Sequence, residues 1–345
     1  MGGRFCYSAL DLLGRKYKIR VIHPDRPGVG GSDAVAIEDR ISTYVDMIPK
    51  LMNYLEIEHV SLAAHSFGTI YLINILLTCP YLLHPERPCV AFFTPWVHPE
   101  HTGVKHLQAV EMLPASMIGK FSSLARFVNE KLVPLVGMST GLSSTVANSV
   151  KTSLPHTIPP GVPVSLEPHT GGRREQRDIE GEQSLDLNDS NVVKELGNLV
   201  PTFLFAEENA GVGQDTQLCL RKPRSIPWST LAVPWKDFDD AVRAFERLRG
   251  ATGQDNRMSE ATKTLRVDVF HAETDSLVGH KGQEWFDSCW KRDEDAASGS
   301  LSPFEYYSQT VKGSDHDSIL DLGLGASETW LKGVGDANRG VGLRE

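Results

Sequence analysis

The sequence predicts an α/β fold built on a mostly parallel sheet, and three observations carry the prediction. Strand-like and helix-like stretches alternate from the N-terminus to about residue 100 and resume near the C-terminus. The strand-like stretches are apolar throughout rather than at every second residue, as strands are when helices cover both faces of a sheet. Turns rich in Gly, Pro and Asp separate them, and no internal repeat is present.

Each element follows from its residues. Residues 5–16 read as a helix, with Leu10 and Leu13 on one face. KIRVIHPD, residues 18–25, is an apolar, β-branched run and reads as a strand. The loop RPGVGGSD follows at 26–33, where glycines permit turns that side chains would obstruct. Ile41, Tyr44, Val45, Ile48, Leu51, Met52 and Leu55 recur at three- and four-residue spacing and predict a helix over 38–55. HVSLAAHS is a short strand running into a tight turn, Thr69 to Thr78 an apolar helix ending before Pro80, and CVAFFTPW at 89–96 another strand.

The middle of the chain changes character. Residues 101 to about 155 read as irregular helix, broken at Pro114 and Pro134. Residues 157–190 are rich in Pro, Gly and charge and read as an exposed, disordered loop. Helical pattern returns at 191–209 and 237–249. LRVDVFHAETD opens a strand at Leu265, residues 281–292 read as a helix, FEYYSQTV is the last strand, and GSDHDSIL leads to a closing helix. The Gly-rich stretch past Gly333 reads as a frayed tail. The resulting division is an α/β core in two parts, 1–100 and 263–333, a helical cap inserted at 101–262, and a flexible tail at 334–345.

Composition narrows the function classes. A chain of 345 residues can bury a large core. The net charge is −9, and acidic residues interrupt the densest basic group, Arg173, Arg174 and Arg177. Nucleic acid and anionic membrane surfaces need a basic patch, so neither is an expected partner. The longest apolar run, near Ile70 to Leu77, is too short to span a bilayer. Five scattered cysteines without CxxC spacing read as free thiols, and the N-terminus lacks a basic-then-apolar leader pattern, so a cytoplasmic location is expected. The glycines of RPGVGG lack the strand-to-helix setting of a dinucleotide site. No carboxylate or cysteine completes a metal spacing with His98, His101 and His106. No cofactor and no metal are therefore expected.

The chemistry concentrates in AAHSFGTI. A strand feeds a sharp turn at Ser66, with small residues two before and two after it, Ala64 and Gly68, and a helix follows at once. This is the setting of a nucleophile elbow. It stands the serine oxygen at a helix N-terminus, where the dipole favours an oxyanion, and offers the Phe67 N–H as an oxyanion donor. Such a serine needs an acid and then a histidine further along the chain. HAETD places Asp275 after the next-to-last strand, and SDHD places His316 after the last. His316 would take the serine proton and Asp275 would orient the imidazole. Glu273 stands as the alternative acid, and Asp315 and Asp317 read as caps for the next helix.

KIRVIHPDRPGVGGSD, AAHSFGTI, HAETDSLVG and SDHDSIL together resemble successive landmarks of the α/β-hydrolase superfamily, most nearly its fungal serine-hydrolase-like members, over residues 18–320. The resemblance implies the α/β-hydrolase fold, the Ser66–His316–Asp275 triad roles, and a cap inserted after the strand ending near Trp96. Epoxide hydrolases and dehalogenases of the superfamily carry Asp at the elbow, so Ser66 points to transfer of an acyl group to water. The resemblance also implies further strands ahead of residue 1 and a loop supplying a second oxyanion donor. Here Met1, Gly2 and Gly3 correspond to the end of that loop, so the backbone of Gly2 is the expected second donor. A shortened sheet of about five strands with an uncovered edge is then expected. Two functions follow: a serine hydrolase acting on a small hydrophobic acyl substrate, or a catalytically impaired protein of the same fold that binds. Met112, Met117, Phe121, Phe127, Leu132, Phe203, Phe205, Trp228 and Trp235 would either line an acyl pocket or pack the cap.

Overall fold

The computed structural model describes residues 3–111, 210–252, 264–291 and 304–339, with isolated positions at 118, 191, 192, 195 and 199. Four strands form one sheet: β1 (Leu62–His65), β2 (Cys89–Phe93), β3 (Leu265–Thr274) and β4 (Phe304–Asp315). They lie side by side in chain order, and every pairing is parallel. The helices are α1 (Leu10–Tyr17), α2 (Arg40–Tyr54), α3 (Gly68–Thr78), α4 (Pro99–Thr102), α5 (Lys105–Glu111), α6 (Ala210–Cys219), α7 (Phe238–Thr252), α8 (Gly279–Trp290) and α9 (Ala326–Arg339).

The continuous apolar strands have the cause the sequence suggested. Successive side chains point to opposite faces of a strand. Val90 and Phe92 of β2 join Val267 and Val269 of β3 in one core, with Phe238, Phe245, Phe286 and Trp290 from α7 and α8. Their neighbours Ala91 and Phe93 join Phe270, Ala272 and Val311 in a second core under Ile319 and α9. Both faces of β2 are buried, so both of its sets must be apolar. Phe92 is completely buried, and truncating such a ring to alanine costs about 3–5 kcal/mol. The helix α3 is buried from Thr69 to Leu77 without a polar face, the signature of a helix enclosed by its own protein.

Four expectations need correction. KIRVIHPD forms no strand and has no ladder partner among the described residues. Side chains suit it to a sheet, but a strand also needs a hydrogen-bonding neighbour. A cavity of about 520 Å³ is lined both by Lys18 to Pro24 and by Val60 to His65, alongside β1 at the edge of the sheet. The described sheet thus has four strands where about five were expected. Helix α6 escaped the sequence reading because it is buried on most sides and contains Gly211 and Gly213, which erase any polar stripe. Helix α7, inside the expected 101–262 cap, instead covers the sheet: Phe238 packs on Phe92 and Phe286, and Phe245 stacks on Phe304. The expected tail at 334–345 is helical as far as Arg339. Gly335 has a packing role there, since a Cβ on it would lie 2.9 Å from the Tyr17 carbonyl oxygen of α1. The 157–190 loop and most of the expected cap lie outside the described residues.

Among the described residues no helix is long and apolar enough to cross a membrane. All five cysteines are free thiols.

Candidate functional site

The elbow is built from backbone first. Ser66 follows β1 at φ +53°, a left-handed conformation that costs a non-glycine residue on the order of 1–2 kcal/mol. Surrounding hydrogen bonds hold it there. The Ser66 N–H donates to the Phe93 carbonyl at 3.0 Å, and its own carbonyl accepts from the Thr69 N–H (3.0 Å) and Thr69 Oγ1 (2.7 Å). Ala64 and Gly68 meet directly behind the turn: a Cβ on Gly68 would lie 3.5 Å from that of Ala64. Phe67 is the N-cap residue of α3, and the first amides of a helix have no intrahelical carbonyl to reach.

His316 and Asp275 reach the serine from the carboxyl ends of the two far strands. The β3–β4 pairing shifts register between Ala272 and Thr274 and ends with Thr274 opposite Asp315, so the residues that follow, Asp275 and His316, leave the sheet together. His316 Nε2 lies 2.7 Å from Ser66 Oγ, and His316 Nδ1 lies 3.0 and 2.9 Å from the two carboxylate oxygens of Asp275. Asp275 Oδ1 also accepts the N–H groups of Leu277 and Val278, at 2.9 and 2.8 Å. Both side chains are nearly sealed, His316 at 5% exposure and Asp275 at 1%.

This arrangement fixes the proton positions. A carboxylate only accepts, so Nδ1 carries the hydrogen and Nε2 presents its lone pair to the Ser66 hydroxyl. Burial opposes charging His316, but the adjacent Asp275 carboxylate outweighs it and holds the imidazole above its ordinary pKa. Burial would raise the pKa of Asp275. The facing His316 and the two amides overcome that and hold the carboxyl below the usual range. Glu273, the alternative acid, accepts the Gly313 N–H at 2.8 Å instead. Of the two expected caps, Asp315 accepts the Asp317 and Ser318 N–H groups at 3.1 and 2.9 Å, whereas Asp317 makes no side-chain cap bond to the turn that follows it. Gly2, the expected second oxyanion donor, lies outside the described residues.

Three neighbours of the site were not singled out from the sequence. His65 Nε2 lies 2.7 Å from the His316 carbonyl oxygen, and its Nδ1 lies 2.7 Å from the Tyr7 hydroxyl. Thr94, just past β2, donates its hydroxyl to the same carbonyl at 3.2 Å. The period-two alternation of β1 distinguishes His65 from Ala64, which is the one available signal; nothing local marks Tyr7.

A buried ion cluster sets the loop beneath. Asp215 of α6 accepts from Arg26 Nε (2.8 Å), Arg40 Nη2 (2.8 Å) and the Tyr71 hydroxyl (2.8 Å). Burial would raise its pKa, but the two guanidinium groups hold it down. The Gly211 N–H donates to the Gly28 carbonyl at 2.7 Å. The loop RPGVGGSD is thereby pinned to α6. Elsewhere His101 pairs with Asp237 (3.0 Å) and stacks on Trp285, and Glu100 completes a group of metal-ligand types. Spacing could not find that group, because Asp237 is distant in sequence. Trp228 and Trp235 pack into the main core, their indole N–H groups donating to the Leu218 carbonyl and Asn74 Oδ1. The other seven apolar residues considered for a pocket lie outside the described residues.

No family model matches the chain, and no curated protein matches it. Among solved structures it is similar to a carboxylesterase of the ammonia-oxidizing thaumarchaeon Nitrososphaera gargenis, at 12% identity and a TM-score of 0.50, over 99% of this chain and 88% of that one. The fold is that of the α/β-hydrolases. Similarity at a TM-score of 0.48 and 12% identity extends to a thermophilic esterase from Thermogutta terrifontis, over 98% of this chain and 86% of that one. An esterase from Exiguobacterium antarcticum is similar at the same values, over 97% and 89%. Within this α/β-hydrolase fold, Ser66, Asp275 and His316 follow β1, β3 and β4, at the edge where parallel sheets gather their binding sites.

Proposed function

We propose that this protein is a serine hydrolase that cleaves an ester or related acyl bond through an acyl-enzyme. One observation carries the reading: Ser66 Oγ, His316 Nε2 and Nδ1, and the Asp275 carboxylate form a single buried line of hydrogen bonds that starts at a left-handed elbow residue. Ser66 Oγ attacks the acyl carbon while Nε2 takes its proton. The imidazolium, stabilised by Asp275, returns that proton to the departing alkoxide. Water then repeats the sequence on the acyl-enzyme with His316 as base, and Ser66 leaves. The Phe67 amide, with the backbone of Gly2 as second donor, stabilises the oxyanion; one such donor contributes about a hundred- to a thousandfold in rate. The substrate is a small hydrophobic acyl compound.

The test is labelling by a fluorophosphonate probe, followed by a chain-length series of p-nitrophenyl esters. The parent protein is expected to label and turn over, and Ser66→Ala to do neither. Equal labelling of both, or none in a folded parent, overturns the reading.

A second reading, a catalytically impaired protein that keeps the fold and binds, is favoured by the cavity of about 520 Å³ that reaches His65 and Gly68 beside the elbow. Binding and labelling measured together separate the readings: a folded parent that binds hydrophobic esters in this cavity but does not label supports the impaired one.

A further inference from the structure

We propose that His65 and Tyr7 form a positioning pair that holds the main chain of His316 in register with Ser66. The inference rests on the serine-hydrolase reading and goes beyond its three residues. The His316 carbonyl can only accept, so the 2.7 Å contact from His65 requires the proton on Nε2. His65 Nδ1 is then bare and accepts the Tyr7 hydroxyl proton at 2.7 Å. Thr94 adds a second donor to the same carbonyl at 3.2 Å. The base loop is thus fastened by its backbone, while its imidazole remains free to exchange protons.

The placement has a mechanical consequence. His65 and Ser66 are adjacent in the chain at the end of β1. One strand end therefore carries the nucleophile on its own backbone and grips the base loop with the preceding side chain. The His65 and His316 rings lie 5.5 Å apart between centroids, and Tyr7 closes on His65 edge-on at 5.9 Å. Any movement of the elbow moves the grip with it, so the 2.7 Å Ser66–His316 contact is preserved.

His65 is not a second base. Burial, then the nearby His316, push its pKa down to about 3, so it stays neutral across the working range of such an enzyme. Burial also raises the pKa of Tyr7, which keeps its hydroxyl a donor. Tyr7 sets the tautomer, and the tautomer sets the grip.

The experiment compares His65→Leu, His65→Gln and Tyr7→Phe in ester turnover. A slip of about 1 Å in the base costs up to about a hundredfold in rate. His65→Leu is expected to lower kcat ten- to a hundredfold with KM nearly unchanged. His65→Gln, which keeps an N–H donor at similar reach, should recover most of that loss, and Tyr7→Phe should fall between. An unchanged kcat in a folded His65→Leu protein overturns the proposal. So does a His65→Gln variant as slow as the leucine one, which would reduce His65 to a space-filler. The His316 Nδ1 proton, followed by NMR in the resting protein, reports the same geometry without turnover. It should shift in His65→Leu and return in His65→Gln. A parent without activity but with that response sinks the hydrolase reading and leaves the pair standing; an unresponsive proton sinks the pair.

Discussion

Replacing Asp275 by asparagine tests the proton logic of the site with almost no change of shape. The asparagine carbonyl is needed by the Leu277 and Val278 amides, which now reach Asp275 Oδ1 at 2.9 and 2.8 Å. The side-chain NH₂ must then face His316 Nδ1, where a carboxylate oxygen lies at 2.9 Å. Two donors repel across that contact, and the carbonyl oxygen at 3.0 Å from Nδ1 is already engaged by the two amides, so the balance shifts the His316 hydrogen to Nε2. Nε2 then faces Ser66 Oγ across 2.7 Å as a donor and cannot take the serine proton. A wrong tautomer of this kind costs about 10⁴ in rate in a Ser-His-Asp site, equivalent to about 5.5 kcal/mol of transition-state stabilisation. The assay is the second-order rate of fluorophosphonate labelling, with circular dichroism to establish folding. A loss below about tenfold would refute the tautomer argument, since the variant removes only charge and proton preference.

Other expectations are more local. For His316 to act as base it must be neutral, and Asp275 holds its pKa above the ordinary 6.5 despite burial; the acid limb of kcat/KM should therefore fall at a pH above 6.5. The sign for stability is opposite. A raised folded pKa stabilises the protonated form, so this contribution is complete below 6.5 and is lost as pH rises through the folded value, which urea denaturation across that window would detect. Asp215→Ala leaves Arg26 and Arg40 facing an empty buried position and should cost about 3–5 kcal/mol; a urea midpoint implying less than about 1 kcal/mol would mean that the cluster does not fasten α6. Gly211→Ala puts a Cβ 2.3 Å from the Pro27 carbonyl oxygen, whereas Gly68→Ala makes only a 3.5 Å contact with Ala64. The first should destabilise by about 1–3 kcal/mol and the second should leave the thermal midpoint nearly unchanged.

What was legible in the sequence was whatever a few neighbouring residues decide. The elbow is one contiguous turn, Ala64 to Gly68, so its chemistry and its strain are written together. Asp275 and His316 each follow a strand whose apolar run is itself readable, and a parallel sheet collects the ends of such strands at one edge. KIRVIHPD looks like a strand and is not one for a related reason. Strand preference is written in side chains, while a strand exists only beside another, and the partner was not in the local pattern. The groups that hold the site belong to a different kind of information. Tyr7 meets His65, and Asp215 meets Arg26, Arg40 and Tyr71, across spans that no periodicity encodes. The grip on His316 falls on a backbone carbonyl, which every residue possesses and no sequence distinguishes. Reacting side chains must be particular residue types, and the sequence therefore names them. Positioning contacts need only a donor at the right place, so the fold decides them. The same division explains why Glu273 and Asp275 were both open as the acid until the Gly313 amide was seen to engage one and His316 the other.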